Sequence, residues 1–210
     1  MGKPGDFFVG IVDLFAIFLP GGLLTFVLYQ QYSAFLLNVV PISGNQYWLA
    51  FVFFSYLIGH VIFMIGSKID GLYDYHRKKR NPYINTSAFQ CASQIKHKFL
   101  SETESKAVNT YMWSTSILTT QYSDAIVEIN RLVADSKFFR SLVVIIPIIS
   151  LVFVDGGNYQ HALMTILFIV PCYLRYYDRR LKSTTRTYQY IIMLNGLGKL
   201  SAPNESKKMT

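Results

Sequence analysis

The chain has 210 residues and a formal net charge of +8, and 51% of its residues are hydrophobic while only 15% are charged. An ordinary soluble domain carries about 25% charged residues, so this composition excludes a typical soluble domain and also a disordered chain. The two cysteines, Cys91 and Cys172, are too few for a disulfide framework or a thiolate metal site. We therefore expect no cofactor and no bound metal.

The first two predicted elements are apolar helices long enough to cross a bilayer. Residues Phe7 to Tyr29 contain Asp13 as their only ionisable acid or base, and Tyr47 to Gly66 contain only His60. A membrane crossing needs about 20 helical residues at about 1.5 Å each, and both stretches meet this length. We predict transmembrane spans 1 and 2 here.

Two shorter apolar runs follow, at 142–154 and 162–174, separated by the turn sequence Asp155-Gly156-Gly157-Asn158. They fit either a hairpin that dips into the bilayer or two full spans. We favour spans 3 and 4, because aromatic residues flank the runs and Arg140 and Arg175 can extend their side chains to the membrane interface.

The basic residues predict the orientation. One Lys precedes span 1, eleven Lys and Arg lie in 68–140 and eight in 175–210, whereas the loops 30–46 and 155–161 contain none. Positive charge is enriched on the cytoplasmic side of membrane proteins. The pattern predicts a multi-pass protein of the bacterial inner membrane with both termini in the cytoplasm.

The predicted fold class is all-α, with four transmembrane helices and a helical cytoplasmic insert between spans 2 and 3. We predict an amphipathic helix over 87–100, a capping box at Ser101–Glu104, and a helix starting at Ser123 that runs directly into span 3. The predicted domains are 1–67 with spans 1 and 2, 68–140 as the cytoplasmic module, 141–177 with spans 3 and 4, and 178–210 as a basic helix with a disordered tail.

Asp13 and His60 are ionisable residues at membrane depth, where such side chains are costly and commonly functional. Each lies about 9 Å from the cytoplasmic edge of its span at helical rise, so the two can face each other. They form either a protonatable pair in a proton or ion pathway, or a structural hydrogen bond between helices.

Two sets of small residues mark the same spans. Pro20, Gly21 and Gly22 predict a kink or break in span 1, with either a gating role or no special role. Ser55, Gly59 and Gly66 share one face of span 2 and predict close helix packing, within the protomer or between protomers.

Two basic stretches predict contact with the anionic inner leaflet of the membrane or with a partner. An acidic protein is one such partner, and nucleic acid is a weaker alternative because one short block is a poor signal for it. The residues are Arg77, Lys78, Lys79, Arg80, Arg179, Arg180, Lys182 and Arg186.

No convergent catalytic motif is present in the sequence. It contains no Gly-x-Ser-x-Gly elbow, no His-Glu-x-x-His, no Walker loop and no Cys/His cluster with zinc spacing. We therefore expect no enzyme activity.

These patterns favour a protein that acts by assembly, as a homo-oligomeric membrane effector or sensor whose cytoplasmic module receives a signal from a protein partner or ligand. The whole-chain architecture resembles the small membrane components of bacterial antiphage systems such as Kiwa, and the membrane accessory proteins of some CRISPR systems. The resemblance implies a role in antiviral defence and assigns no site residues. The alternative is a proton- or cation-coupled channel or transporter that uses Asp13, His60 and the Pro20–Gly22 segment.

Overall fold

The structure is a computed structural model that describes residues 14–39, 46–80 and 82–200. The described residues form helices joined by short turns, and no strand occurs among them. This confirms the all-α prediction. Asp13 and the predicted disordered tail at 201–210 lie outside the described residues.

The helices follow one another with few connecting residues. A π-helical turn at Leu14–Phe18 precedes α1 (Leu19–Val39), α2 (Gln46–Ser67), α3 (Ile69–Arg80), α4 (Pro82–Phe99), α5 (Glu102–Ala107), α6 (Thr110–Gln121), α7 (Ser123–Asp155), α8 (Tyr159–Leu167) and α9 (Ile169–Gly196).

Within the described part of the chain, three helical stretches are long and apolar enough to cross a membrane: Leu14–Ser33, Gln46–Arg77 and Asp124–Asp155. The fourth predicted span is divided at Phe168 between α8 and α9. Pro171, in the first turn of α9, cannot donate a hydrogen bond to the carbonyl of Leu167, and its ring clashes with that carbonyl in a continuous helix. The helix therefore stops and restarts here.

The continuous helix predicted to start at Ser123 and to run into the apolar segment 142–154 is confirmed. α7 extends without interruption over 33 residues and includes Pro147. It ends in the predicted glycine turn, where Gly157 has φ of 73°, a backbone conformation that glycine adopts without steric cost.

The chain forms two compact units. Unit 1 comprises the described parts of Met1–Asp74 and Arg131–Arg180, and unit 2 those of Tyr75–Asn130 and Leu181–Thr210. Unit 2 thus joins the insert to the C-terminal segment, which the sequence analysis treated separately. α3, α7 and α9 each contribute residues to both units.

The apolar core of unit 1 lies between α1, α2 and α7. Leu24, Ile62, Ile145 and Ile149 are buried there, and further apolar side chains pack around them. In unit 2 the buried side chains include Ala92, Ile95, Leu118, Ile129 and Ile191.

Pro20 affects the start of α1 in a different way from the predicted break. α1 continues through Pro20, Gly21 and Gly22, and the irregular segment is the π-helical turn directly before it. Because Pro20 has no N–H, the carbonyl of Ala16 lacks its usual donor four residues on. The buried hydroxyl of Ser141 on α7 donates to that carbonyl at 3.0 Å.

Ser141→Ala is expected to lower the stability of unit 1 by about 1 kcal/mol, since a buried carbonyl loses its donor. Ser136→Ala is the matched control. Ser136 is buried on the same helix, but its hydroxyl donates to the carbonyl of Val133. In a continuous helix this carbonyl also has the amide of Lys137, four residues on, as its usual donor. Melting of the purified protein in detergent measures both variants, and equal losses would contradict the role given to Ser141.

In unit 2 the predicted capping box at the start of α5 is confirmed. The Ser101 hydroxyl accepts from the Glu104 amide, and the Glu104 carboxylate accepts from the Ser101 amide at 3.0 Å. Hydrogen bonds from Ser101 hold the pKa of Glu104 below its ordinary value. The other end of α5 is held by Lys96, a buried cation whose Nζ donates to the carbonyls of Ser105 at 2.8 Å and Val108 at 2.9 Å.

Lys96→Met is expected to destabilise unit 2 by about 2 kcal/mol, because two carbonyls at a helix C-terminus lose their donor and the local counter-charge. Lys98→Met serves as the control, since Lys98 is exposed on the same helix. Proteolysis of the 75–130 segment in the membrane-bound protein reports the difference. Equal protection of Lys96→Met and wild type would contradict this role.

Candidate functional site

Asp70, in the first turn of α3, is a polar side chain of unit 1 that contacts two other helices. Its carboxylate accepts a hydrogen bond from Nη1 of Arg140 at 2.9 Å and one from the hydroxyl of Tyr176 at 2.6 Å. Nη1 of Arg180 lies 3.7 Å away. Asp70 thus links α3 to α7 and to α9, and its position at a helix N-terminus also suits a negative charge.

Arg140 is buried, with 4% of its surface exposed. Its guanidinium lies over the ring of Phe63 at 4.7 Å, and its Nε lies beside Gly66, where an added Cβ would stand 3.3 Å from that nitrogen. Gly66 therefore leaves the room that the arginine occupies. A buried guanidinium requires a counter-ion and hydrogen bonds. Asp70 provides the counter-ion and a hydrogen bond to Nη1, while the buried Nε has no hydrogen-bond partner among the residues that the structure describes.

Tyrosine rings surround the ion pair. Tyr73 is buried, and its ring centroid lies 5.8 Å from that of Tyr176 and 5.2 Å from that of Tyr177. Arg180 lies over the Tyr73 ring at 5.4 Å. The Asp70 side chain itself is 27% exposed, so the rings cover the carboxylate only in part, and its hydrogen bonds are charge-assisted. We call Asp70, Tyr73, Arg140, Tyr176 and Arg180 the Asp70 cluster.

The chemistry of the Asp70 cluster is that of a clamp. It combines one carboxylate, two guanidiniums and two phenols, and the carboxylate is already engaged by the guanidinium and phenol groups around it. Such a set fixes the relative positions of three helices through charge-assisted bonds. It would loosen if Asp70 lost its charge or if another anion drew Arg180 away.

His60 lies on the exposed part of α2, with the ring of Tyr56 at 4.4 Å in an edge-to-face arrangement. Asp13, its predicted partner, is outside the described residues. The pairing of Asp13 with His60 therefore stays a prediction.

The structure brings the two sets of small residues together. A Cβ on Gly21 would lie 1.9 Å from the Ser55 carbonyl oxygen, and one on Gly59 would lie 2.2 Å from the Ile17 carbonyl oxygen. Ser55, Gly59 and Gly66 are all buried. Within one chain, Gly21 thus serves the close approach of α1 to α2, and Gly22 has ordinary contacts at 3.7 Å or more.

Several of the predicted basic contact residues are paired with carboxylates inside their own unit. Besides Arg180 with Asp70, Arg179 lies 3.6 Å from Asp135 and Arg186 lies 3.9 Å from Glu128. The other predicted contact residues lie on two helices. Lys182 is on α9, and α3 carries Arg77, Lys78, Lys79 and Arg80. The side chains of Lys78 and Arg80 are outside those described.

Sequence reasoning missed Asp70, Tyr73, Arg140 and Tyr176 as site residues. One signal was available, because Asp70 and Arg140 are opposite charges that each adjoin an apolar run on the predicted cytoplasmic side. Two such charges at the same membrane depth commonly pair with each other. The tyrosines carried no comparable signal.

The fold and the Asp70 cluster define an all-helical protein whose three long apolar helices are compatible with a membrane. No family model, curated protein or solved structure matches the chain.

Proposed function

We propose that the chain is a four-span protein of the bacterial inner membrane with both termini in the cytoplasm. The fourth crossing would consist of α8 and the start of α9. Two observations support it: Ser150 on α7 donates to the Ala162 carbonyl at 3.0 Å, and large apolar side chains such as Leu163 and Phe168 are 63% and 60% exposed. Lipid is a favourable environment for such side chains and water is not.

The function that the geometry supports best is that of an oligomeric effector or sensor that couples a signal at unit 2 to the transmembrane bundle. The single observation that carries this proposal is the Asp70 cluster. It joins α3, α7 and α9 by side-chain contacts, and these are the three helices that contribute residues to both units. A shift in one of these helices is thereby imposed on the other two.

The signal is proposed to come from a cytoplasmic protein or ligand bound to unit 2, with the basic residues holding the anionic inner leaflet. Nucleic acid is the weaker alternative partner. The action is mechanical, with no catalytic step and no cofactor. The architectural resemblance to membrane components of antiphage systems such as Kiwa supports a role in antiviral defence.

Labelling of Cys91 in lipid nanodiscs tests the coupling. Cys91 is exposed in unit 2, and Cys172→Ser leaves it as the single thiol. The full chain is placed in nanodiscs of short-tailed or long-tailed anionic lipid, and its labelling rate with a fluorescent maleimide is measured. We expect the rate to differ between the two lipids, because the bundle adjusts to bilayer thickness and unit 2 follows.

Tyr176→Phe removes one hydrogen bond to Asp70 and is expected to reduce that lipid dependence. Lys106→Gln breaks an exposed ion pair with Glu102 in unit 2 and is expected to leave it unchanged. The coupling is overturned if wild-type Cys91 reacts at the same rate in both lipids.

The channel or transporter remains the second candidate because His60 is exposed on α2 and can line a pathway formed between copies. In this case the reconstituted protein conducts protons or cations, and His60→Ala abolishes conduction even at a protein density at which the variant is fully assembled. Normal conduction in His60→Ala would remove His60 from any such pathway.

A further inference from the structure

The exposed surface of α2 contains a polar pair at membrane depth. His60 lies 14 residues after Gln46 and 8 residues before Lys68, which at helical rise is roughly 21 Å and 12 Å from these polar positions. Tyr56 stands one turn away with its ring against the imidazole. Both side chains are exposed, whereas the buried face of α2 carries Ser55, Gly59, Ile62 and Gly66.

This exposure is unusual for a membrane helix. Ionisable side chains within a span nearly always face a protein interior or a water-filled cavity, because lipid chains offer no hydrogen bonds. Of the three long apolar stretches, the one that contains α2 is the least buried within the protein. In its most apolar 18-residue segment 22% is buried, compared with 28% and 33% in the other two stretches. The polar pair therefore requires a cover that its own chain does not supply among the described residues.

We propose that the Tyr56–His60 face of α2 is the contact surface between copies of this chain in the membrane. This rests on the proposed function in one respect, namely that the chain spans a bilayer as an oligomer. The neighbouring exposed side chains Phe53, Leu57 and Met64 supply the apolar part of the interface.

A second copy fits this face better than a different protein does. Copies inserted in the same orientation are related by an axis along the membrane normal. Tyr56 therefore lies at one depth in every copy, and His60 lies at a second depth that is also the same in every copy. The pair is also self-complementary, since a phenol donates and accepts one hydrogen bond and a neutral imidazole has one donor and one acceptor. Tyr56 of one copy lies about 6 Å along the membrane normal from His60 of the other copy, and the long tyrosine side chain spans this distance, so its hydroxyl can donate to the imidazole. A different protein would need a matching pair at this depth.

Disulfide trapping in membranes tests the surface. In a full-length chain with Cys91→Ser and Cys172→Ser, His60→Cys is oxidised with copper phenanthroline, and Tyr56→Cys is examined in parallel. We expect each variant to form a covalent dimer of two chains that separates when the disulfide is reduced. Val61→Cys is the control, because Val61 is exposed at almost the same depth and lies about 100° around the helix from His60.

The interface also predicts a change in affinity. An interhelical hydrogen bond in a membrane contributes about 1 to 2 kcal/mol in model peptides, so His60→Ala is expected to weaken association by roughly tenfold. Energy transfer between labelled copies, followed as the lipid-to-protein ratio rises, measures this change. Val61→Ala is expected to leave association near that of wild type.

The outcomes separate this inference from the proposed function. If wild type is oligomeric in the bilayer but residues 56 and 60 form no dimer, or Val61→Cys forms as much, the oligomer uses another face and the inference is wrong. A crosslinked product of any mass other than two chains, showing a different partner on this face, also overturns it. If wild type is a monomer in the bilayer, the oligomeric part of the proposed function fails as well.

Discussion

Gly21→Ala is expected to prevent the normal packing of α1 against α2 and to lower the yield of folded protein sharply. Its Cβ would lie 1.9 Å from the Ser55 carbonyl oxygen and 2.7 Å from the Gly59 amide nitrogen. Both are backbone atoms of a helix, so neither can move aside without separating the two helices. Overpacking a core usually costs about 1 to 3 kcal/mol, and we expect at least the upper value here. The fraction of monodisperse protein after mild heating in detergent measures the loss.

Gly22→Ala provides a control one residue away in the same helix. Its Cβ would meet side-chain atoms of Ser55 and Phe51 at 3.7 Å or more, and alanine is favoured over glycine within a helix by about 1 kcal/mol. This variant should therefore be as stable as wild type or slightly more so. Equal tolerance of alanine at both positions would show that α1 and α2 do not approach as closely as described.

Asp70→Ala is expected to destabilise unit 1 by about 3 kcal/mol. The substitution leaves the buried Arg140 guanidinium without its counter-ion, and removing one partner of a buried pair is generally far more costly than removing both. It also removes the acceptor of the Tyr176 hydroxyl. The thermal melting midpoint of the full-length protein in nanodiscs measures the change.

Two further variants identify the cause of that loss. Asp70→Ala combined with Arg140→Met removes both charges and is expected to recover part of the stability, because no buried charge remains unpaired. Asp135→Ala breaks the longer pair with Arg179, whose side chains are 22% and 40% exposed, and an ion pair in such a position contributes at most about 1 kcal/mol. A double variant no more stable than Asp70→Ala would mean that Asp70 acts through something other than Arg140.

Features that depend on neighbouring residues were predictable from the sequence. The capping box needs only Ser101 and Glu104, three residues apart, and the glycine turn after Asp155 follows from the run Gly156-Gly157. The continuous helix α7 was predictable for a similar reason. No glycine or proline interrupts the chain between Ser123 and the apolar run, so no strong helix breaker stops the helix before it.

Features that depend on distant pairs were predictable only in part. The position of two opposite charges beside apolar runs was a signal, but the pairing itself was not determined by the sequence pattern. Asp70 and Arg140 are 70 residues apart, and no periodic pattern identifies two single residues on different helices as partners. The small residues of span 2 were found by their spacing, but Gly21 was assigned to a kink because its role depends on the backbone of another helix.

The division of the fourth span was predictable in principle but was missed. Its cause is Pro171, which acts locally on the Leu167 carbonyl and was overlooked among the apolar residues.

The bond between Ser141 and the Ala16 carbonyl has a consequence for biogenesis. The two residues are separated by 125 positions, and a synthesis rate of about 5 to 20 residues per second places them roughly 6 to 25 s apart on the ribosome. During that interval the carbonyl that Pro20 leaves without a donor must find water or another temporary partner. The packing of the segment around Ala16 is therefore completed only after α7 has been made, so this part of unit 1 folds late although its N-terminal half is synthesised early.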